Sequence, residues 1–144
     1  MTAHDDREAD GGDWRSFDFS GTGTWPEYWP PVAYRMERPD FARLRVTPPP
    51  QAVNFMGGLH GGFLAGLAEN CLGLILHGEG EALAGVTISL AFDYPGGGKA
   101  DMPITGEVEA MRETGKMQFL RVLLRQGDVV LLHGTGVLRK VTPR

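Results

Sequence analysis

Hydrophobic and polar positions change period several times along this chain, and each change marks an element. From Ala33 to Val46 a moderately polar stretch reads as a first strand, stopped by the prolines at 48–50, which supply no N–H to a ladder. A loop rich in Gly, Asn and Pro follows. Apolar residues then run from about Gly61 to His77 over a length that suits a helix. Past Gly80 the period falls to two: Val86, Ile88, Leu90 and Phe92 alternate with Gly85, Thr87, Ser89, Ala91 and Asp93, which predicts a strand burying the first set. Pro95 and the glycines at 96–98 close it. Ile104, Gly106, Val108 and Ala110 alternate with Thr105, Glu107 and Glu109 in the next strand. Turns at Thr114-Gly115 and Gln126-Gly127-Asp128 lead into strands over Lys116–Arg125 and Val129–Lys140. Turns this short join antiparallel neighbours. The order predicts an α+β fold in which one long helix covers an antiparallel sheet of about five strands.

Composition narrows the function classes. At 144 residues the chain has the size of one domain, and 42% apolar against 22% charged residues suffices for a core. A net charge of -4 supplies no electrostatic footprint for nucleic acid or an anionic membrane surface, so neither is expected as a partner. A single cysteine, Cys71, excludes an internal disulfide and a cysteine-built zinc site, and fits a reducing, cytoplasmic setting. The first thirteen residues are acidic and polar where a secretory signal is basic and then apolar, and read as a solvated tail. Residues 14–31 crowd Trp14, Trp25, Tyr28 and Trp29 among three prolines; GTGTWPEYWPP suits neither a regular strand nor a helix. Those aromatics are expected on the domain's own surface or a sister subunit's, or as a lid or docking arm. The division is a partly disordered extension at 1–32 and one domain at 33–141.

The sharpest chemical signal is one charge. Thirty-three residues separate Arg45 from Glu79, and the only Asp, Glu, Lys or Arg among them is Glu69. Its surroundings, FLAGLAENCLGLIL, are apolar on nearly every side, so the carboxylate is expected to be buried and to titrate high. Such carboxylates serve either catalysis or a hydrogen-bonded core, and the helix alone leaves both open. At the helix entry, His60-Gly61-Gly62 lets another molecule approach the backbone, and first-turn N–H groups can hold an anion or oxyanion. Asn54 lies six residues earlier. Other patterns fail. No G-x-S-x-G elbow occurs. Cys71 falls on another side of the helix from Glu69 and reads as core. His4, His60, His77 and His133 lack metal-ligand spacing, and GGGK at 96–99 reads as a strand connection.

Asn54, His60-Gly61-Gly62 and Glu69 at their spacings, followed by a strand beginning Gly85-Val86-Thr87, resemble the hotdog-fold thioesterases. Within these the chain is similar to the phenylacetic-acid-degradation type, the Arthrobacter-type 4-hydroxybenzoyl-CoA thioesterases and the thioesterase-superfamily-member-2 proteins. The resemblance spans roughly residues 33–141. It implies a long helix wrapped by a curved antiparallel sheet, a homodimer or homotetramer with sites at subunit interfaces, and hydrolysis of a small aryl or short- to medium-chain acyl-CoA without metal or cofactor. Carried over, Glu69 matches the carboxylate that attacks the thioester or activates water, and Gly61 the oxyanion donor. His60 and Asn54 match positioning residues, and Thr87 a water-binding hydroxyl. In this family carboxylate and oxyanion donor come from different subunits. Phe55, Met56, Leu59, Gly62, Phe63 and Leu64 are the expected pocket lining. Lys99, Arg112, Lys116 and Arg139 are candidates for the CoA phosphates, Arg112 and Lys116 foremost, and equally readable as solvated charges. Two other readings stand beside this one. A hotdog hydratase or dehydratase also pairs a His with an acid, at a different spacing; a non-catalytic acyl-CoA binder or sensor needs no such carboxylate.

Overall fold

The computed structural model describes residues 13–78 and 84–142; the tail before Asp13, His4 included, lies outside them. The elements are β1 (Arg15–Phe17), a 3-10 turn (Trp25–Tyr28), β2 (Val32–Arg38), β3 (Phe41–Val46), α1 (Gly61–Leu72), α2 (Leu74–Gly78), β4 (Ala84–Asp93), β5 (Ile104–Glu113), β6 (Met117–Gln126) and β7 (Val129–Val141). The strands form one antiparallel sheet in the order β1-β2-β3-β5-β6-β7-β4. Seven strands thus replace the expected five. The stretch 33–46 is two strands rather than one, because Pro39-Asp40 reverses the chain between them. Arg15–Phe17 adds a short edge strand on β2.

Antiparallel pairing and the one-sided helix are as expected. The helix is shorter: Gly73 interrupts the run from Gly61, and α2 resumes at Leu74. Leu64, Leu67, Ala68, Cys71 and Leu72 turn inward and pack with Ile104, Val108, Leu120, Val122, Leu124, Leu132 and Leu138, all buried. That burial is the main stabilising term of the layer. The other side of α1 is not enclosed within the chain, and Gly61, Gly62 and Glu69 are exposed. The uniform apolarity around α1 reflects glycine and alanine there, not burial under large side chains.

β4 corrects another expectation. Thr87 pairs with Leu138 and Ser89 with Val137, so Ile88 is an extra residue that reverses the alternation. Before this bulge the helix-facing positions are Gly85 and Thr87; after it they are Leu90 and Phe92. Val86 and Ile88, expected inside, are 45% and 54% exposed. β4 therefore closes the sheet as a ten-residue edge strand with exposed apolar side chains and one inward threonine.

Candidate functional site

That threonine meets the lone carboxylate. Thr87 Oγ1 donates a 2.8 Å hydrogen bond to Glu69 Oε1. The bulge makes the contact possible, since unbroken alternation from Leu90 would turn Thr87 away from α1. The bond fixes one carboxylate oxygen, and Glu69 as a whole remains exposed rather than buried in the single chain. A carboxylate so placed can act as a base or nucleophile toward a molecule entering from outside.

The entry of α1 is built around two side-chain caps. Asn54 Oδ1 accepts from the amides of Met56 (2.9 Å) and Gly58 (3.2 Å), and its backbone N–H donates to Gly58 O at 2.7 Å. Gly57, at φ 90°, supplies the left-handed residue this tight loop needs. His60 is the helix N-cap; its Nδ1 accepts the Gly62 N–H at 2.9 Å, so the neutral imidazole carries its proton on Nε2. Among the described residues the N–H of Gly61, at the first helical position, has no acceptor. No acidic residue occupies the first turn of α1, which leaves the positive end of the helix dipole uncompensated. Tyr94, just past β4, lies over this entry: a Cβ on Gly61 would stand 3.8 Å from its ring. Gly61 and Glu69 are eight residues apart, or about 12 Å along the axis. One chain does not hold donor and carboxylate around a single carbonyl.

The remaining predicted residues are distributed unevenly. Phe55 and Met56 stand at the tip of the Asn54 loop, 97% and 78% exposed, and line nothing within the chain. Leu59 and Leu64 are buried core residues within the single chain, and Phe63 is half-buried against the core. Gly62 is exposed beside His60. Lys116 lies in the β5–β6 turn, where its carbonyl accepts from Lys140 N–H, at the end of the sheet near the start of β4. Arg112 pairs with Phe119 across from the buried Gln118 and Leu120 positions, which puts it on the sheet face away from α1. Arg139 pairs with Val86 on that same outer face. The GGGK segment is a connection: Gln126 clamps it, accepting Lys99 N–H at 2.8 Å and donating to Lys99 O and Met102 O. Cys71 is fully buried, and desolvation pushes its thiol up to about 12. Among the described residues no group of His, Cys, Asp and Glu could hold a metal, and no helix is long and apolar enough to cross a membrane.

Sequence reasoning gave Trp29 no individual place. Its Nε1 donates to Phe63 O at 2.9 Å, and its ring lies directly on Gly66, where any Cβ would overlap the indole. The signal was present as a glycine in mid-helix, which is destabilising unless something packs on it. Residues 21–31 form no regular strand or α-helix, only the single 3-10 turn.

Solved structures with this architecture are numerous at low identity. A hypothetical thioesterase from Streptococcus pneumoniae TIGR4, solved with coenzyme A, matches with a TM-score of 0.69 at 20% identity, covering 78% of this chain and 88% of that one. Mouse thioesterase superfamily member 2 matches with a TM-score of 0.66 at 20% identity over 75% and 80% of the two chains. The PaaI protein of the E. coli phenylacetic acid degradation operon gives 0.68 at 18% over 76% and 79%. These likenesses establish the hotdog fold. No curated protein sequence matches the chain. The acyl-CoA thioesterase N-terminal domain family matches residues 49–139, a span that holds Asn54, His60, Gly61, Glu69 and Thr87, and the chain belongs to that family.

Proposed function

We propose that the protein is an acyl-CoA thioesterase acting on a small aryl or short- to medium-chain acyl-CoA, without metal or organic cofactor. The observation that carries the reading is the Thr87–Glu69 hydrogen bond, which holds the lone carboxylate of α1 against the edge strand, facing outward. Glu69 attacks the thioester carbonyl or deprotonates the water that does, and the Thr87 hydroxyl orients the group that attacks. The Gly61 N–H, at the uncompensated positive end of α1, receives the charge that develops on the carbonyl oxygen. Asn54 acts by shaping the loop ahead of the helix, and His60 by capping α1 and presenting Nε2–H outward. Lys116, at the end of the sheet near the start of β4, is a candidate contact for the CoA phosphates.

Two copies complete the site. β4 is a long apolar edge, and antiparallel pairing of two such edges about a two-fold axis near Leu90 carries the Thr87 and Glu69 of one copy to the Tyr94 and Gly61 end of the other. That pairing removes the 12 Å separation, of order eight helical rises, that one chain cannot bridge. The working unit is therefore a homodimer or a homotetramer built from it, located in the cytoplasm, with residues 33–141 as the catalytic domain.

The test is Glu69→Gln, assayed by release of free CoA thiol from acyl-CoA thioesters with oligomeric mass checked in parallel. A loss of at least about 100-fold in kcat with unchanged mass is expected from removing a general base or nucleophile. Turnover near that of the wild type on its best substrate would remove Glu69 from the mechanism.

A further inference from the structure

We propose that Gln126 is a positioning residue of the thioester reaction: its buried amide holds the peptide unit between Gly98 and Lys99, and through that unit the turn that presents the Gly61 N–H. The proposal rests on the thioesterase reading and adds a residue that touches neither substrate nor carboxylate.

Gln126 ends β6, an interior strand of the sheet, so its side chain starts from a fixed platform. It is 4% exposed, and its whole amide engages one segment. Oε1 accepts the Lys99 N–H at 2.8 Å, while Nε2 donates to Lys99 O at 2.7 Å and to Met102 O at 2.9 Å. Gripping both backbone groups of one residue fixes it much as a neighbouring strand would. The Lys99 N–H and the Gly98 carbonyl belong to one planar trans amide, so they point in opposite directions and turn together. Gln126 holds the N–H side; on the other side Gly98 O accepts the Leu59 N–H at 3.0 Å. Leu59 precedes His60, the N-cap of α1, whose own N–H donates to Ala52 O at 2.9 Å. The amides of 59 and 60 are thus tied to two different segments, and they set the direction of the unpartnered Gly61 amide that follows.

The glycines of this loop explain why a clamp is needed. A Cβ on Gly98 would stand 2.7 Å from Leu59 Cδ1, 2.8 Å from Leu131 Cδ2 and 3.0 Å from Gln126 Oε1, so the close approach to the helix entry admits only glycine. Gly96 is packed as tightly against Val129 and Val130, whereas a Cβ on Gly97 meets nothing within 4 Å. Three consecutive glycines have no backbone preference that would hold the 98–99 plane by itself, and the Gln126 amide supplies that restraint. Tyr94 begins the same loop and lies over Gly61, so one side chain steadies both the cover and the support of the oxyanion position. Removing an oxyanion donor lowers kcat by about 100-fold to 1000-fold, and misplacing an aligned group by about 1 Å has an effect of order 100-fold. Loss of the clamp loosens the donor without deleting it, which corresponds to roughly tenfold.

The experiment follows thiol release from phenylacetyl-CoA or hexanoyl-CoA, whichever the wild type cleaves faster, in the wild type, Gln126→Met, Gly61→Pro and the double variant. Methionine keeps the length of the side chain and removes its amide. In Gln126→Met, kcat is expected to fall about tenfold with KM within about twofold. Once Gly61→Pro has deleted the N–H, the same replacement should lower the residual turnover, read with enzyme in excess, by less than about twofold. Wild-type kcat in Gln126→Met, a loss confined to KM, or an equal fall in both backgrounds overturns the proposal. If Gln126→Met does not fold, Gln126→Asn, whose amide stops one methylene short, decides by the same cycle. A wild type that cleaves neither ester refutes the thioesterase reading, and residue-resolved amide hydrogen exchange then decides the clamp alone. The clamp stands if the Leu59 N–H exchanges at least about tenfold faster in the Gln126 variant while the Ala110 N–H, bonded to Asp40 O elsewhere in the sheet, keeps its rate. It falls if Leu59 exchange is unchanged or if both amides change alike.

Discussion

Replacing Gly66 by Ala sets two terms of known sign against each other. In an open helix interior the change stabilises by about 1 kcal/mol, since Ala loses less backbone freedom on folding. Here the new methyl overlaps Cζ2, Cε2 and Nε1 of Trp29, so the indole must leave. Displacement costs the Nε1 hydrogen bond to Phe63 O, about 1 kcal/mol net, plus packing strain of about 1–3 kcal/mol. The overlap wins, and Gly66→Ala is expected to destabilise by about 1–3 kcal/mol. In a Trp29→Ala background nothing opposes the helix preference, and the same change should stabilise by about 1 kcal/mol. The double-mutant cycle then gives a coupling of about 2–4 kcal/mol. Urea unfolding followed by far-UV circular dichroism measures all four proteins at one concentration, because association links stability to concentration. Equal stabilisation by Gly66→Ala in both backgrounds would refute the placement of Trp29 on α1.

Three further outcomes are expected. Ile88→Lys puts a charge on the exposed bulge of β4 without touching the core, and light scattering should show a lower mass than the wild type; an unchanged mass excludes β4 as the subunit contact. Cys71, buried and with its thiol pushed up to about 12, should not react with a disulfide reagent at pH 8 until the protein unfolds; prompt labelling of the native protein would contradict the packing. Glu113 feels burial, which raises its pKa, but hydrogen bonds from Lys140 and Gln118 outweigh it and hold the group below the ordinary value. A depressed carboxylate stabilises the fold above its unfolded pKa and loses that contribution as pH falls through the folded one. Lys140→Met should therefore flatten the loss of stability between roughly pH 5 and 3. An acid limb identical to the wild type's would separate Lys140 from Glu113.

Most of the fold was legible because β5, β6 and β7 announce themselves through two short turns, and α1 through its length and apolarity. Pro39-Asp40 was a readable turn that a moderately polar stretch concealed, which merged β2 with β3. The Ile88 bulge was not readable: alternation assumes a constant register, and only pairing with β7 reveals the extra residue. The bulge matters most at the site. Thr87 was assigned through resemblance, while simple alternation would have turned it outward. Glu69 stood out by charge alone, but its exposure followed from small neighbours that a count of apolar residues treats as core. Gln126, which clamps Lys99 and Met102, had no sequence signal because both its partners are backbone groups far along the chain.

The axial gap between Gly61 and Glu69 turns, under the proposed pairing, into a statement about mixtures of defective chains. Gly61→Pro deletes the N–H while keeping the helix, since proline suits the first helical position and His60, at φ -71° and ψ 131°, already has the extended backbone that precedes one. Alone it loses the oxyanion donor, as Glu69→Gln alone loses the carboxylate. After the two inactive proteins are unfolded and refolded together, half the dimers combine one chain of each kind. In each mixed dimer one site inherits both defects and the other inherits none. About a quarter of wild-type activity should then return, the yield of random pairing with two sites per dimer. Two dead chains make a living enzyme only when each lends the other what it lacks.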